Sequence, residues 1–366
     1  MKETLKEILS IQSESYNQWR MFAYIIRRLA KMNNVMYRTH NGNIYATKGI
    51  SSTYPCVVAH MDTVHDIFKG QLSIIEVGDL LTGFNVDKMK QAGIGGDDKV
   101  GVFIALELFE QHDDIKVAFF RDEEVGCHGS DKADMSFFTD CAFVLQADRR
   151  GNSDFITDAS GTNLSSKAFR KAVSPHLKAY GYKTAHGMMT DVMTLKENGL
   201  GISCANISCG YYRPHSDDEY VDFADVVKCY NLMNDIILNL SYQQWKHTHD
   251  VSSYRYSKYY YGSSLDNYYK DYHKDIASKR IDTKWQDWDD DRSGFGNYND
   301  SPLGDGTELE SDIGRFNAPV YSMCVGCGQN KMVKYVRAVE DYICEQCEED
   351  FNGWIDDDNK AIYSKK

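Results

Sequence analysis

The sequence predicts an α/β fold, a mixed open sheet flanked by helices, with a small four-cysteine zinc ribbon appended. Three observations predict it. Apolar runs of strand length alternate with stretches of helical periodicity between residues 3 and 240, the rhythm of an open α/β sheet. After about Ser241 the composition turns polar, acidic and Tyr-rich, and a packed core cannot be built from it. Beyond that, Cys324-Val-Gly-Cys327 and Cys344-Glu-Gln-Cys347 stand 16 residues apart, the spacing of a zinc ribbon. The expected organisation is a first domain over 1–243, a disordered linker over 244–318, and the ribbon with its tail over 319–366.

In chain order, residues 3–33 carry helical periodicity through Leu5, Ile8, Leu9, Trp19, Phe22, Ile25, Ile26 and Leu29. VMYRTHNGNIYATKG then alternates about an Asn-Gly turn, as a hairpin does. A strand is expected at Cys56–Ala59, a helix at Val100–Gln111, and further strands at Ile115–Phe120 and Ala142–Ala147. Helices are expected near Ser165–Tyr180 and Thr190–Asn198, a strand at Gly201–Ile207, and a closing helix over Val221–Leu240.

The net charge of −13 argues against a general affinity for nucleic acid or anionic lipid, both of which need basic surface. The N-terminal segment mixes charge into every turn, and there is no run of about 18 apolar residues. The ten cysteines, six scattered and four in CxxC pairs, read as reduced thiols plus one structural zinc rather than a disulfide framework. A cytoplasmic protein without membrane contact is expected.

The chemistry-bearing residues collect at strand ends. His60 follows PCVVA, Glu123-Glu124 follow KVAFF, Asp148 follows FVLQA, and His215 comes after ISCANIS; in an open α/β sheet that edge is where ligands bind. Asp97 lies in the Gly-rich turn AGIGGDDKVG, where glycines permit close backbone approach. Three carboxylates and two imidazoles suit borderline divalent metals, and a bridging Asp97 would leave each of two ions an open position. Asp62, two residues beyond His60, can orient that imidazole. Glu123 beside Glu124 separates a free general base from a ligand. Taken singly, HxD and DEE are ordinary surface patterns, and His65, His128 and His186 read as loop or surface residues.

Taken together, NGNIYATKG, VVAHMDTV, GIGGDDKVGV, FFRDEEVGCHGS, QADRRG and YYRPHSDDEYV, in that order, resemble the di-zinc exopeptidase clan, especially its peptidase T-, carboxypeptidase- and desuccinylase-like branch. The resemblance runs from about Leu5 to Leu240. It implies His60, Asp97 and Asp148 on one zinc and Asp97, Glu124 and His215 on the other, with cobalt or manganese as alternative metals. Asp97 rather than Asp98 matches the bridging ligand. It also implies Asp62 and Glu123 as catalytic residues, Glu123 acting as general base toward a water between the metals.

That branch carries a lid between the fourth and fifth ligands, whereas only 66 residues separate Asp148 from His215 here. A lidless domain is therefore expected, as in the clan's single-domain aminopeptidases, whose elements GMMTDVMTL and GYYRPHSDDEYV also resemble. Aminopeptidase action on short peptides follows as the expectation. Asp191, Tyr212 and Arg213 are candidates for substrate or oxyanion contact, with Tyr211 or the zinc itself as other candidates for the oxyanion. The competing readings are an amidohydrolase acting on N-acyl amino acids and an inactive scaffold that docks a protein through the ribbon.

Overall fold

In chain order the first body of the molecule contains helices α1 (Lys2–Leu9) and α2 (Trp19–Ala30), then strands β1 (Val35–His40), β2 (Asn43–Lys48), β3 (Tyr54–His60), β4 (Leu72–Val77), β5 (Leu80–Asn85) and β6 (Lys90–Ala92). Helix α3 (Gly96–Gln111), β7 (Ile115–Phe120), the short α4 (His128–Asp131), β8 (Cys141–Arg149), β9 (Asp154–Ala159) and β10 (Thr162–Asn163) follow. The remainder is α5 (Lys167–Ala179), β11 (Lys183–Gly187), α6 (Asp191–Glu197), β12 (Cys204–Ser208), β13 (Tyr211–Tyr212), β14 (Tyr220–Asp222) and α7 (Phe223–Leu240). This computed structural model describes residues 1–248 and, separately, three strands: β15 (Val320–Met323), β16 (Asn330–Val336) and β17 (Asp341–Cys344). These three form an antiparallel meander. The expected metal ligands Cys324, Cys327 and Cys347 lie outside the described residues, as does the side chain of Cys344.

The main sheet runs β1-β2-β7-β3-β8-β12-β9-β10, with β11 on β9. Its centre, β7-β3-β8-β12, is parallel, while β2 and β9 join antiparallel: the mixed open sheet that the sequence predicts. Every residue of β3 and β7 is buried, because a parallel sheet is covered on both faces and its strands read as continuous apolar runs. Val57, Ala59, Val117 and Phe119 pack with α1, α2, α3, α5 and α7 on one face. Cys56, Val58, Ala118 and Phe120 pack with α6, Phe137 and Phe138 on the other. Helix α3 is apolar through its body from Val100 to Phe109 except at Glu107, and is buried accordingly.

The Asn41-Gly42 turn has both residues at positive φ, the geometry of a two-residue hairpin whose strands twist correctly. No separate lid lies between Asp148 and His215: β9, β10, β11 and β12 all join the main sheet.

One expectation is corrected, and two features go beyond those expected. The continuous helical reading of 3–33 is broken between Leu9 and Trp19, because the backbone there bonds elsewhere. Thr63 N–H donates to Ser13 O, Ser15 N–H to Thr63 O, and Tyr16, at φ 63°, donates its N–H to Asp122 Oδ1. The stretch between β3 and α3 supplies β4, β5 and β6, which join β13 and β14 in a second sheet, β13-β14-β5-β4 with β6 on β5, which no apolar run announced. The packed first body runs past 243, since Trp245 is 7% exposed, donates its indole N–H to Leu240 O, and exchanges backbone bonds with Ala142 and Ser203; the expected linker lies, beyond residue 248, outside the described residues. Among the described residues no helix is long and apolar enough to cross a membrane.

Candidate metal centre

The C-terminal ends of the four parallel strands converge, and the proposed ligands converge with them. His60 is the last residue of β3, Asp148 lies near the end of β8, Glu123 and Glu124 follow β7, and His215 lies in the loop joining β13 to β14. Asp97 sits in the first turn of α3, where φ −81° and ψ 103° take the backbone out of the helix, and its peptide to Asp98 is cis.

Asp97 faces two ways. Its Oδ1 stands 3.3 Å from His60 Nε2 and its Oδ2 3.4 Å from His215 Nε2. Asp148 Oδ1 lies 3.7 Å from His60 Nε2, and Glu124 Oε2 lies 3.2 Å from His215 Nε2. Around a tetrahedral ion with bonds of about 2.1 Å, neighbouring donor atoms stand roughly 3.4 Å apart. The donor set therefore fits two cations sharing Asp97. Glu124 Oε1 is buried without a hydrogen-bond partner, which a divalent ion would satisfy.

Asp98, also within ligand range of His60 and Asp148, is committed otherwise. Its Oδ2 accepts the His60 N–H at 3.2 Å and its Oδ1 the Gly101 N–H at 3.0 Å. Asp98 thus braces β3 and α3, and Asp97 remains the bridging candidate.

Electrostatics point the same way, for Asp97, Asp98, Glu123, Glu124, Asp148 and Asp191 crowd against two imidazoles. Burial, with Asp97's charge added, pushes Asp148 up to about 8. Burial and Asp97 likewise push Glu124 up to about 7, against the pull of His215. Burial raises Glu123 well above the carboxylate range, with Asp148, Asp191 and Glu124 adding to it and His60 opposing. Although burial disfavours their charge, His60 is raised well above its ordinary value by Asp148, Asp62 and Asp97, and His215 to about 11 by Asp97 and Glu124. Asp97 is held well below the carboxylate range by His215 and His60 despite its burial. Protons compete here for a charge deficit that divalent ions would fill.

Around the donors lies a set of holding contacts. His60 Nδ1 donates to the main-chain oxygen of Asp62 at 3.0 Å, with Asp62 Oδ1 at 3.4 Å. The Asp62 carboxylate does more than approach His60: it accepts the N–H groups of Glu123 and Glu124 and the Ser15 hydroxyl, holding the loop that carries both glutamates. Asp148 Oδ2 is occupied by Gln146, Thr190 and Asn206, leaving Oδ1 toward the centre. Glu123 Oε1 accepts the Cys127 thiol at 3.4 Å, while its Oε2 lies 3.9 Å from His60 Nε2.

Sequence reasoning missed Ser15, Cys127, Gln146, Thr190 and Asn206, none of which carries a spacing signal. The candidate substrate contacts fall in different surroundings. Asp191 is fully buried and accepts from Ser130 and Gln146. Tyr212 gives its hydroxyl to Asp225 and stacks on Tyr220, and Arg213 is exposed beside Asp218. Tyr211 is the tyrosine at the centre, its buried hydroxyl 3.4 Å from Asp148 Oδ1. His65 and His186 each meet a carboxylate outside the donor set, Glu219 and Asp158.

Comparison with known proteins completes the description. The family model of the M42 glutamyl aminopeptidases matches residues 84–232, the stretch that carries Asp97, Glu123, Glu124, Asp148 and His215. No curated protein matches the chain. Among solved structures, aminopeptidase PepT of Bacillus cereus is similar at 12% identity and TM-score 0.52, over 65% of this chain and 97% of that one. An aminopeptidase of the archaeon Desulfurococcus kamchatkensis is similar at 15% and 0.52, over 64% and 93%. A tripeptidase of Staphylococcus aureus gives 13% and 0.52, over 66% and 98%. At such identities the likeness is one of fold. The family match supports the zinc-peptidase resemblance without singling out its peptidase T- and carboxypeptidase-like branch.

Proposed function

We propose that this metallo-aminopeptidase hydrolyses short peptides with two zinc ions shared by Asp97, one completed by His60 and Asp148 and the other by Glu124 and His215. Metal-dependent peptidase action on peptides follows from the M42 match over 84–232. The observation that carries the two-metal reading is Asp97, whose two oxygens each face a different histidine at 3.3 and 3.4 Å.

When bound, divalent ions at these donors would supply Lewis acidity, easing ionisation of a water and polarising the scissile carbonyl. The rest falls to the chain. Glu123 is 9% exposed, and with Oε1 engaged by Cys127 it moves protons at Oε2, taking one from the attacking water and handing it to the leaving amine. The Tyr211 hydroxyl, 3.4 Å from Asp148 Oδ1, is the donor this reading assigns to the developing oxygen charge. Six buried free cysteines among the described residues suit the reducing cytoplasm. The four ribbon cysteines would hold a structural zinc, and the ribbon could dock a protein partner.

Glu123→Gln tests the assignment. It should leave zinc binding intact and abolish turnover of a peptide with a free N-terminus; wild-type activity in that variant would overturn the base. Metal counting by mass spectrometry should find two zinc ions at the His-carboxylate centre and a third on the cysteines, and a chain with only the ribbon zinc would overturn the two-metal reading.

A further inference from the structure

We propose that Glu219 is a positioning residue that ties three ligand-bearing loops together and sets the geometry of the metal centre, with His65 as its lock. This rests on the two-metal reading above. Glu219 is fully buried and touches none of the proposed donor atoms, yet every polar contact of its carboxylate goes to a loop that carries one. Its Oε2 accepts the Gly95 N–H at 2.8 Å and its Oε1 the Asp97 N–H at 3.2 Å. Its Oε2 also accepts from His65 Nε2 at 2.7 Å. One carboxylate therefore joins the loop after His60, the turn before α3 and the loop of His215.

The arrangement explains the Gly-rich turn. Gly95 precedes α3 at φ 65° without any side-chain cap, so the first N–H groups of the helix would lack partners. Glu219 supplies the acceptor from a distant loop, and a carboxylate is favoured at a helix N-terminus. The glycines give it access: a Cβ on Gly93 would lie 2.0 Å from His65 Cε1, and one on Gly96 would lie 3.3 Å from Glu219 Oε1. Because Asp97 leaves helical geometry at this point, its orientation is held by the bond to its N–H. That orientation is what lets Oδ1 and Oδ2 face separate histidines.

The test uses the full chain, stripped of metal, with Glu219→Ala, Glu219→Gln and His65→Ala beside Lys90→Ala, which breaks the exposed pair between Lys90 of β6 and Asp217 of the Glu219 loop. Zinc affinity, measured by competition with a chromophoric chelator, should fall about 10- to 100-fold in Glu219→Ala. Glu219→Gln keeps one acceptor oxygen and should fall less, as should His65→Ala; Lys90→Ala should match wild type. At saturating substrate kcat should drop with KM unchanged, and excess zinc should restore it, because Glu219 makes no contact with the cleft. If Glu219→Ala fails to fold, the other two variants decide. Wild-type zinc affinity and kcat in folded Glu219→Gln and His65→Ala would overturn the inference, whereas failure of wild type itself to bind zinc at the centre would overturn the two-metal reading.

Discussion

Glu123 presents one oxygen to the centre and gives the other to the Cys127 thiol, so a single side chain is aimed by a residue four positions on. Removing its basicity in Glu123→Gln should cost on the order of a hundred- to ten-thousandfold in kcat, read by peptide turnover at constant zinc content. Tyr211→Phe removes a hydroxyl but no packing volume, and its kcat should fall roughly 100-fold if that hydroxyl faces the developing oxyanion. An unchanged kcat would return that role to the metal. Lys99 is a different case: buried, with its ammonium on Leu9 O and Ile94 O, it is pushed down to about 7 from 10.5. Between those values the unfolded chain binds more protons than the folded one, so this group's contribution to stability rises with pH and is least favourable below pH 7. Urea melts should show that rise in wild type and lose this component in Lys99→Met; an identical pH dependence in both would refute the assignment.

At the scale of elements, the first turn of α3 is where local preference yields to the site. A helix begun by Gly-Gly-Asp-Asp is poorly nucleated on propensity alone, and the Glu219 carboxylate and the apolar body of the helix hold it in place. Gly96→Ala would set a Cβ 2.7 Å from Tyr211 Cβ and 2.9 Å from Val221 Cγ2. Overpacking of this kind costs about 1–3 kcal/mol. Differential scanning calorimetry of the metal-free chain should show the lower melting temperature, and zinc affinity should fall with it as β13 is pushed from Asp97. The break between α1 and α2 has a similar origin, since Ser13, Ser15 and Tyr16 bond to Thr63, Asp62 and Asp122 and cannot also continue a helix.

For the whole molecule, the centre is assembled from loops spread from His60 to His215 and carries more buried acid than base. Ions that bind the folded chain should stabilise it by mass action, about 2.7 kcal/mol at a hundredfold excess over Kd. Chelation should accordingly lower the melting temperature, and zinc should restore it; a melt indifferent to chelation would count against a resident metal. Substrate class is tested at the same scale, by comparing a free-N-terminus tripeptide with its N-acetylated form. Only the first should turn over, and the reverse preference would favour an N-acyl amidohydrolase.

The sequence by itself determined the parallel core and picked out the five proposed donors, because apolar runs buried on both faces and the residues that end them are both local signals. His60, Asp97, Glu124, Asp148 and His215 were legible as candidates from their positions after strands and within one Gly-rich turn, and Glu123, the proposed base, from its place beside Glu124. The tertiary structure alone decided which oxygen each carboxylate turns inward, that Tyr211 rather than Tyr212 or Arg213 reaches the centre, and that Asp191 lies beneath it. It also decided the roles of Ser15, Gln146, Thr190, Asn206 and Glu219. The physical reason is nearly the same throughout: apart from Gln146 on Asp148, two residues away, these side chains act by hydrogen bonds across separations of 42 residues and more, from Thr190 to Asp148 up to Glu219 to His65, and such bonds leave no periodicity for a sequence to display.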